Sequence, residues 1–311
     1  IEWGDHLTHV LPSVAAKWSW PLQKQREMFS EVVSAEEETT HYVRMTFTPY
    51  HRQGDQAGGV IVVLQDVTEQ EKLEQQRKEF VANVSHELRT PLTTIKSYLE
   101  ALDEGAMNDR EMGPRFLKVT QQETERMIRL VTDLLQMSRL DSRETHFHKQ
   151  PTALAALLEE VRQGFTIPCS QKGIDLHVHL REQLPDVWID RDQIRQVLDN
   201  LLSNAIKYTK AGGEIRLTAT QKNKECVEIR IEDNGIGIPK KDLSRIFERF
   251  YRVDKARARN MGGTGLGLAI AQEIIRAHGG QIDMTSALNK GTTVSFTLPV
   301  YRQEDTTCSN E

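Results

Sequence analysis

From Leu73 to Met137 apolar residues recur every three or four positions, broken only by the polar, glycine-bearing stretch DEGAMNDREMG. That period is helical, because a strand would alternate every second residue. Leu73, Phe80, Val84, Leu88, Leu92, Ile95, Leu99 and Leu102 form the stripe of one long amphipathic helix. Phe116, Val119, Met127, Leu130, Leu134 and Met137 form the stripe of a second, running from about Pro114 to Leu140. A single hairpin buries both stripes poorly, whereas two hairpins from two chains close a four-helix bundle. A homodimer is therefore expected.

The first helix carries VANVSHELRTPL, Val81 to Leu92. A histidine in a helix is ordinarily a core residue or a solvated one. Helical geometry places His86 about 200° from Val84, away from the stripe and towards solvent. Glu87 is its neighbour and Thr90 lies four residues on, so an imidazole, a carboxylate and a hydroxyl project around one turn. That grouping suits acid/base or nucleophilic chemistry. Pro91 supplies no N–H to the Glu87 carbonyl, so a kink or loosening is expected one turn beyond His86.

The chain has 311 residues, enough for two or three domains. A net charge of -5 gives no basic footprint for nucleic acid. Cys169, Cys226 and Cys308 are far apart and odd in number, with no CxxC pair for metal or redox work, which fits a reducing cytoplasmic setting. No apolar run reaches membrane-spanning length; GGVIVVLQ is strand length. The opening IEWGD has neither a methionine nor a signal pattern, so the chain is read as a fragment, with any membrane segment expected outside it.

Tyr42 to Thr48 and Gly59 to Asp66, flanking HRQGDQAGG, read as a hairpin closing a small α/β module. Beyond the linker DSRETHFHKQP, strands and helices alternate in an α+β pattern, clearest in CVEIRIED and TVSFTLP. The expected layout is a partial α/β module over 1–66, the helical region over 67–144, a globular domain over 150–301 and a tail over 302–311.

Three elements of the globular domain suit a nucleotide. In DQIRQVLDNLLSNAIKYT, Ile194, Leu198, Leu201 and Ala205 define a buried helix face, while Asn200, Asn204 and Lys207 cluster within about 60° on another. Amide oxygens there could ligate Mg²⁺ and the ammonium could meet phosphate, although asparagines on an exposed face are often merely solvated. In EDNGIGIP, Asp233 ends a strand and could accept from an adenine amino group, with Gly235 and Gly237 allowing close approach; a plain Asp-Asn-Gly turn is the alternative. In GGTGLGLA, Gly263, Gly265 and Gly267 run into a helix able to offer N–H groups to phosphate. This is neither a P-loop nor a G-x-G-x-x-G. The basic RIFERFYRVDKARARNMGG between them reads either as a lid over triphosphate or as a solvated loop.

Taken in this order behind an H-E-x-x-T-P helix, these elements resemble a sensor histidine kinase of a two-component system. The resemblance covers about Asp66 to Pro299. It rests on a phosphoacceptor box (Ser85 to Leu92), an N box (Asp199 to Tyr208), a first glycine box (Asp233 to Gly237), an F box (Ile246 to Tyr251) and a second glycine box (Gly263 to Gly267). The F and second glycine boxes look most like the WalK (YycG, VicK) branch. The resemblance implies a multidomain chain: a helical hairpin forming a dimeric four-helix bundle, then an α/β (α+β) ATP-binding sandwich of the GHKL (Bergerat) type, preceded by a partial PAS-like module. It implies ATP and Mg²⁺ as cofactors, His86 as phosphoacceptor, Glu87 as its base and Thr90 as a phosphatase residue. Asn204, supported by Asn200, would hold Mg²⁺, and Lys207 and Arg252 would neutralise the transferred group. Asp233 would read adenine, with Tyr208, Gly235, Gly237, Gly263, Thr264, Gly265, Leu266 and Gly267 completing the ATP site. A cognate response regulator is the implied partner, and the cytoplasmic portion of a membrane-anchored kinase the implied location. Two rivals remain: a GHKL-type ATPase, which leaves H-E-x-x-T-P without a purpose, and a dimeric scaffold that merely binds nucleotide.

Overall fold

The computed structural model describes residues 29–36, 40–52, 56–141, 147–180, 184–253 and 263–302. The chain divides into two compact units, Ile1–Ala82 and Asn83–Glu311.

In the first unit, β1 (Phe29–Glu36), β2 (Thr40–Arg52) and β3 (Gln56–Asp66) form an antiparallel sheet in the order β1-β2-β3. The expected hairpin is β2–β3, in register from Val43 opposite Asp66 to Arg52 opposite Gln56, with a shift between Tyr50 and His51. Sequence pattern does not predict the third strand, β1, because FSEVVSAE has too little alternation to stand out. Residues 1–28 of the expected PAS-like module lie outside the described residues. Where the sheet gives way to helix, the Asp66 carboxylate accepts from Thr68 N at 2.9 Å, and the Thr68 hydroxyl oxygen accepts from Tyr42 N at 2.9 Å.

Helix α1 (Thr68–Asp103) is assigned without interruption through Pro91, so the expected kink does not break it. Around the missing N–H, the hydroxyls of Thr90, Thr93 and Thr94 donate back to the carbonyls of His86, Arg89 and Thr90 at 3.1, 2.9 and 3.1 Å. Gly105, at φ 118°, turns the chain into a short 3₁₀ segment, Ala106–Asn108. The Asp109 carboxylate then accepts from Glu111 N and Met112 N, capping α2 (Met112–Asp141). Tyr98 and Phe116 pack between the helices with ring centroids 4.8 Å apart.

The globular part of the second unit has β4 (Gln150–Thr152), α3 (Leu154–Lys172), β5 (Asp175–Leu180), β6 (Val187–Ile189), α4 (Arg191–Tyr208), β7 (Glu214–Gln221), β8 (Cys226–Asp233), α5 (Gly267–Ala277), β9 (Ile282–Ala287) and β10 (Gly291–Pro299). The main sheet runs β5-β7-β8-β10-β9, with β5 parallel to β7 and the other pairs antiparallel. β4 and β6 make a separate two-stranded ribbon. Alternation turns Ile215, Leu217, Val227, Ile229, Ile231, Val294, Phe296 and Leu298 inward against apolar faces of α3, α4 and α5. The α+β sandwich is as expected.

The C-terminal part of the expected α2 stripe is covered. Leu130 and Met137 are fully buried within the cluster that includes the sandwich core, and Leu134 packs against it. Ile128, Val131 and Leu135, which lie outside that stripe, form a second apolar row that remains exposed on the helix. Helical period locates an apolar stripe but not which neighbour covers it, and here part of the stripe meets the chain's own globular domain.

Candidate functional site

The three sequence elements converge. On α4, whose N-terminus Asp190 caps by accepting from Gln193 N, Asn200, Asn204, Lys207 and Tyr208 occupy the half-buried side away from the core. Asn200 Nδ2 donates to Gly267 O at 3.4 Å, joining α4 to the start of α5. A Cβ on Gly263 would sit 2.9 Å from Lys207 Nζ, so the second glycine box lies close against that ammonium. The first glycine box closes the other side, where Ile236 N donates to Tyr208 O and a Cβ on Gly235 would fall 2.5 Å from that same oxygen. Gly265, at φ 77°, accepts from Phe250 N at 2.9 Å, bringing the F box in. Leu266 is fully buried beneath the loop. Gly237, at φ 67°, packs on the Ala287 carbonyl and so shapes the turn rather than the cleft. Residues 254–262 of the expected lid lie outside the described residues.

The electrostatics ask for an anion. Lys207 is pushed down to about 8, first by burial and then by Arg252, Arg129 and Arg126. Burial raises the Asp233 carboxyl, opposed by the N–H groups of Gly235 and Thr292. Its Oδ1 accepts from Gly235 N at 2.8 Å, so the same carboxylate holds the glycine turn and presents an acceptor. The Asn204 side chain, on helix α4, makes no hydrogen bond among the described residues, leaving its amide available. Nor is there, among the described residues, any group of three or more His, Cys, Asp or Glu side chains able to hold a metal. A hard cation would therefore rely on amide oxygen together with phosphate oxygens, which fits Mg²⁺ carried by a nucleotide.

His86 is exposed on α1, as its helical angle requires, and so is Thr90. Glu87 differs from expectation: its Oε2 accepts from Arg126 Nη2 at 2.8 Å and lies 3.7 Å from Arg252 Nη1. The residue beside the histidine is thus tied both to α2 and to the nucleotide domain. Thr264 donates to the Asp133 carboxylate on α2 at 2.7 Å, and Arg249 pairs with Asp141 at 2.6 Å. Gln136 meets Gln193 and Gln196. Sequence reading missed Arg126, Arg129 and Asp133. For Arg126 a signal existed, since it stands four residues before Leu130 and interrupts the apolar stripe.

Comparisons with known proteins agree with this geometry. Residues 189–302 match the family of histidine kinase-, DNA gyrase B- and HSP90-like ATPases, and residues 76–143 match the His kinase A phosphoacceptor domain. The sensor histidine kinase WalK of Bacillus subtilis strain 168 is 49% identical over 288 residues, covering 91% of this chain and 46% of that protein. A Staphylococcus aureus WalK is 43% identical over 285 residues, covering 91% of this chain and 68% of that one. Among solved structures, the histidine kinase ThkA in complex with the response regulator protein TrrA aligns with a TM-score of 0.60 at 26% identity, covering 94% of this chain and 83% of that chain. The Acinetobacter baumannii histidine kinase AdeS aligns with a TM-score of 0.55 at 28% identity over 70% of this chain and 98% of that chain. The chain spans about half the length of most of the curated relatives it matches. Fold and site together are those of a phosphoacceptor hairpin joined to a GHKL-type ATP-binding domain. The chain belongs to the sensor histidine kinase family, in its WalK branch.

Proposed function

We propose that this chain phosphorylates His86 from ATP and passes the phosphoryl group to an aspartate of a response regulator, which it also dephosphorylates. The observation that carries the reading is the shared ion pair at Glu87, because it sets Arg252, the residue directly after the F box of the nucleotide domain, beside the residue next to His86. A solvent-exposed imidazole is a competent nucleophile that needs positioning more than activation. An imidazole nitrogen attacks the γ-phosphorus, the bond to the bridging oxygen of ADP breaks, and Glu87 accepts the proton that the imidazole loses. Lys207 and Arg252 balance charge on the phosphates, Asp233 accepts from the adenine amino group, and Tyr208 with Gly235 and Gly263 to Gly267 shapes the site, while Gly237 holds the turn behind it. Asn204, backed by Asn200, would hold Mg²⁺, which when bound supplies charge neutralisation across the phosphates.

The exposed Ile128, Val131 and Leu135 support a homodimer through the hairpin. The ThkA–TrrA likeness supports a response regulator as partner. The proposed layout is a PAS-like module over 1–66, signalling helix and phosphoacceptor hairpin over 67–144, ATP-binding domain over 150–301 and tail over 302–311, the whole being the cytoplasmic portion of a membrane-anchored kinase. No described helix is long and apolar enough to cross a membrane. Incubation with γ-labelled ATP tests the activity. Acid-labile, base-stable label that disappears in His86→Gln is expected. Released phosphate without label would indicate a GHKL-type ATPase, and neither would indicate a nucleotide-binding scaffold.

A further inference from the structure

An arginine in the middle of an apolar helix stripe needs a reason. Arg126 is 7% exposed, on the face of α2 that holds Leu130 and Met137. Its guanidinium bonds the carboxylates of Glu87 and Glu123 at 2.8 and 3.5 Å. Burying such a charge is expensive, and a well-packed apolar residue commonly serves stability as well or better. Holding α1 against α2 therefore does not by itself account for a charge at this position.

The geometry at Glu87 supplies another account. Arg126 Nη2 and Arg252 Nη1 converge on the same carboxylate oxygen, Oε2, at 2.8 and 3.7 Å. Among the described residues Oε1 accepts no hydrogen bond. A carboxylate held by one oxygen has fixed orientation and one uncommitted oxygen, which is what a positioned proton acceptor requires. Arg126 is itself held, since its other Nη meets Glu123 one turn earlier on α2.

We infer that Arg126 is a positioning residue for phosphoryl transfer to His86: it fixes Glu87 through Oε2 so that Oε1 takes the proton leaving the imidazole. This rests on the proposed role of Glu87 as base. The α2 helix then contributes to the chemistry of α1 as well as to its packing. In this role Arg126 acts through Glu87, and its electrostatic effect on Lys207 is the smallest of those acting there, so the loss of Arg126 falls on turnover far more than on ATP binding.

The test compares the wild-type chain with Arg126→Met, Arg126→Lys, Glu87→Gln and the double variant Glu87→Gln/Arg126→Met. It reads label on histidine against ATP concentration, phosphotransfer from prelabelled protein, and melting. Arg126→Met is expected to lower kcat about 10- to 100-fold while KM for ATP stays within about twofold. Arg126→Lys should recover part of the rate, because an ammonium keeps the charge but not the fork. Phosphotransfer from prelabelled protein, in which no imidazole proton is removed, should be unchanged. On the Glu87→Gln background Arg126→Met should have less than about a twofold further effect. The inference is overturned by a kcat within about threefold of wild type, by a loss that multiplies with that of Glu87→Gln, or by phosphotransfer falling in parallel. Should Arg126→Met prove too unstable to assay, the double variant removes both charges together and decides by itself: activity equal to Glu87→Gln supports the inference, and lower activity overturns it. Wild-type protein without histidine label would instead defeat the kinase reading, separately from these comparisons.

Discussion

Lys207 offers a thermodynamic signature of nucleotide binding that can be read without catalysis. Its ammonium is held down to about 8 by burial and by Arg252, Arg129 and Arg126. It is therefore about half protonated at pH 8, about nine-tenths at pH 7 and about one-tenth at pH 9. A triphosphate placed against it supplies the missing negative charge and restores the charged form, so binding takes up a proton. The expected uptake is about 0.1 proton per ATP at pH 7, about 0.5 at pH 8 and about 0.9 at pH 9. The sign follows for affinity: the fully protonated site binds best, so affinity falls about twofold by pH 8 and about tenfold by pH 9 relative to low pH. Titration calorimetry with Mg-ATP in two buffers of different ionisation enthalpy gives the uptake directly. Lys207→Gln should bind more weakly, with no uptake at pH 8. Wild-type binding without proton uptake at pH 8, or equal uptake in Lys207→Gln, would refute the placement of Lys207 against phosphate.

Three further outcomes follow from the same geometry. Leu135, 58% exposed on α2, belongs to the face left for a second copy; Leu135→Asp should weaken the dimer at least about 100-fold, from two lost leucine contacts of about 1.5–3 kcal/mol each, and an unchanged mass in light scattering would sink the assignment. The Thr90 hydroxyl donates only to the His86 carbonyl, at 3.1 Å on an exposed face, so Thr90→Ala should leave histidine labelling within about twofold while phospho-regulator decay slows by about 10²-fold. Parallel losses of both activities would mean that the hydroxyl serves the helix alone. His278 is buried, with Nδ1 donating to Ile274 O at 2.7 Å and Nε2 accepting from Asp190 N at 3.0 Å. Burial lowers its pKa, with Lys149 acting in the same direction and the Ile274 carbonyl and Asp190 opposing. The unfolded chain thus binds its proton first, so stability present above about pH 6.5 is lost as pH falls through the lower folded value. The urea midpoint should drop between pH 7.5 and 5.5, and should drop less in His278→Gln. An equal drop in both would count against it.

Much of the architecture was legible because it follows from local pattern. The period of the Leu73–Met137 stripes gave two helices, and the alternation in CVEIRIED and TVSFTLP gave β8 and β10. The exposure of His86 came from helix angle alone. Asn200, Asn204 and Lys207 share a helix face whatever the rest of the chain does, and Gly265 stands where a positive φ brings backbone close against Phe250. Strand β1 was not legible, because FSEVVSAE is defined by pairing with β2 rather than by its own pattern.

What the tertiary structure decided was which groups meet across long separations. No spacing rule joins Glu87 to Arg126, 39 residues on, or Thr264 to Asp133, 131 residues back. Periodicity fixes the direction of a side chain about its own axis and is silent on what occupies that direction. So the sequence determined that α2 has an apolar stripe, while packing decided that its Leu130 and Met137 would be covered by the chain's own sandwich, leaving the neighbouring row of Val131 and Leu135 exposed. The charge state of Lys207 belongs to the same class. An isolated lysine is fully protonated at neutral pH, and only burial beside three arginines drawn from α2 and the F-box region brings it within reach of titration.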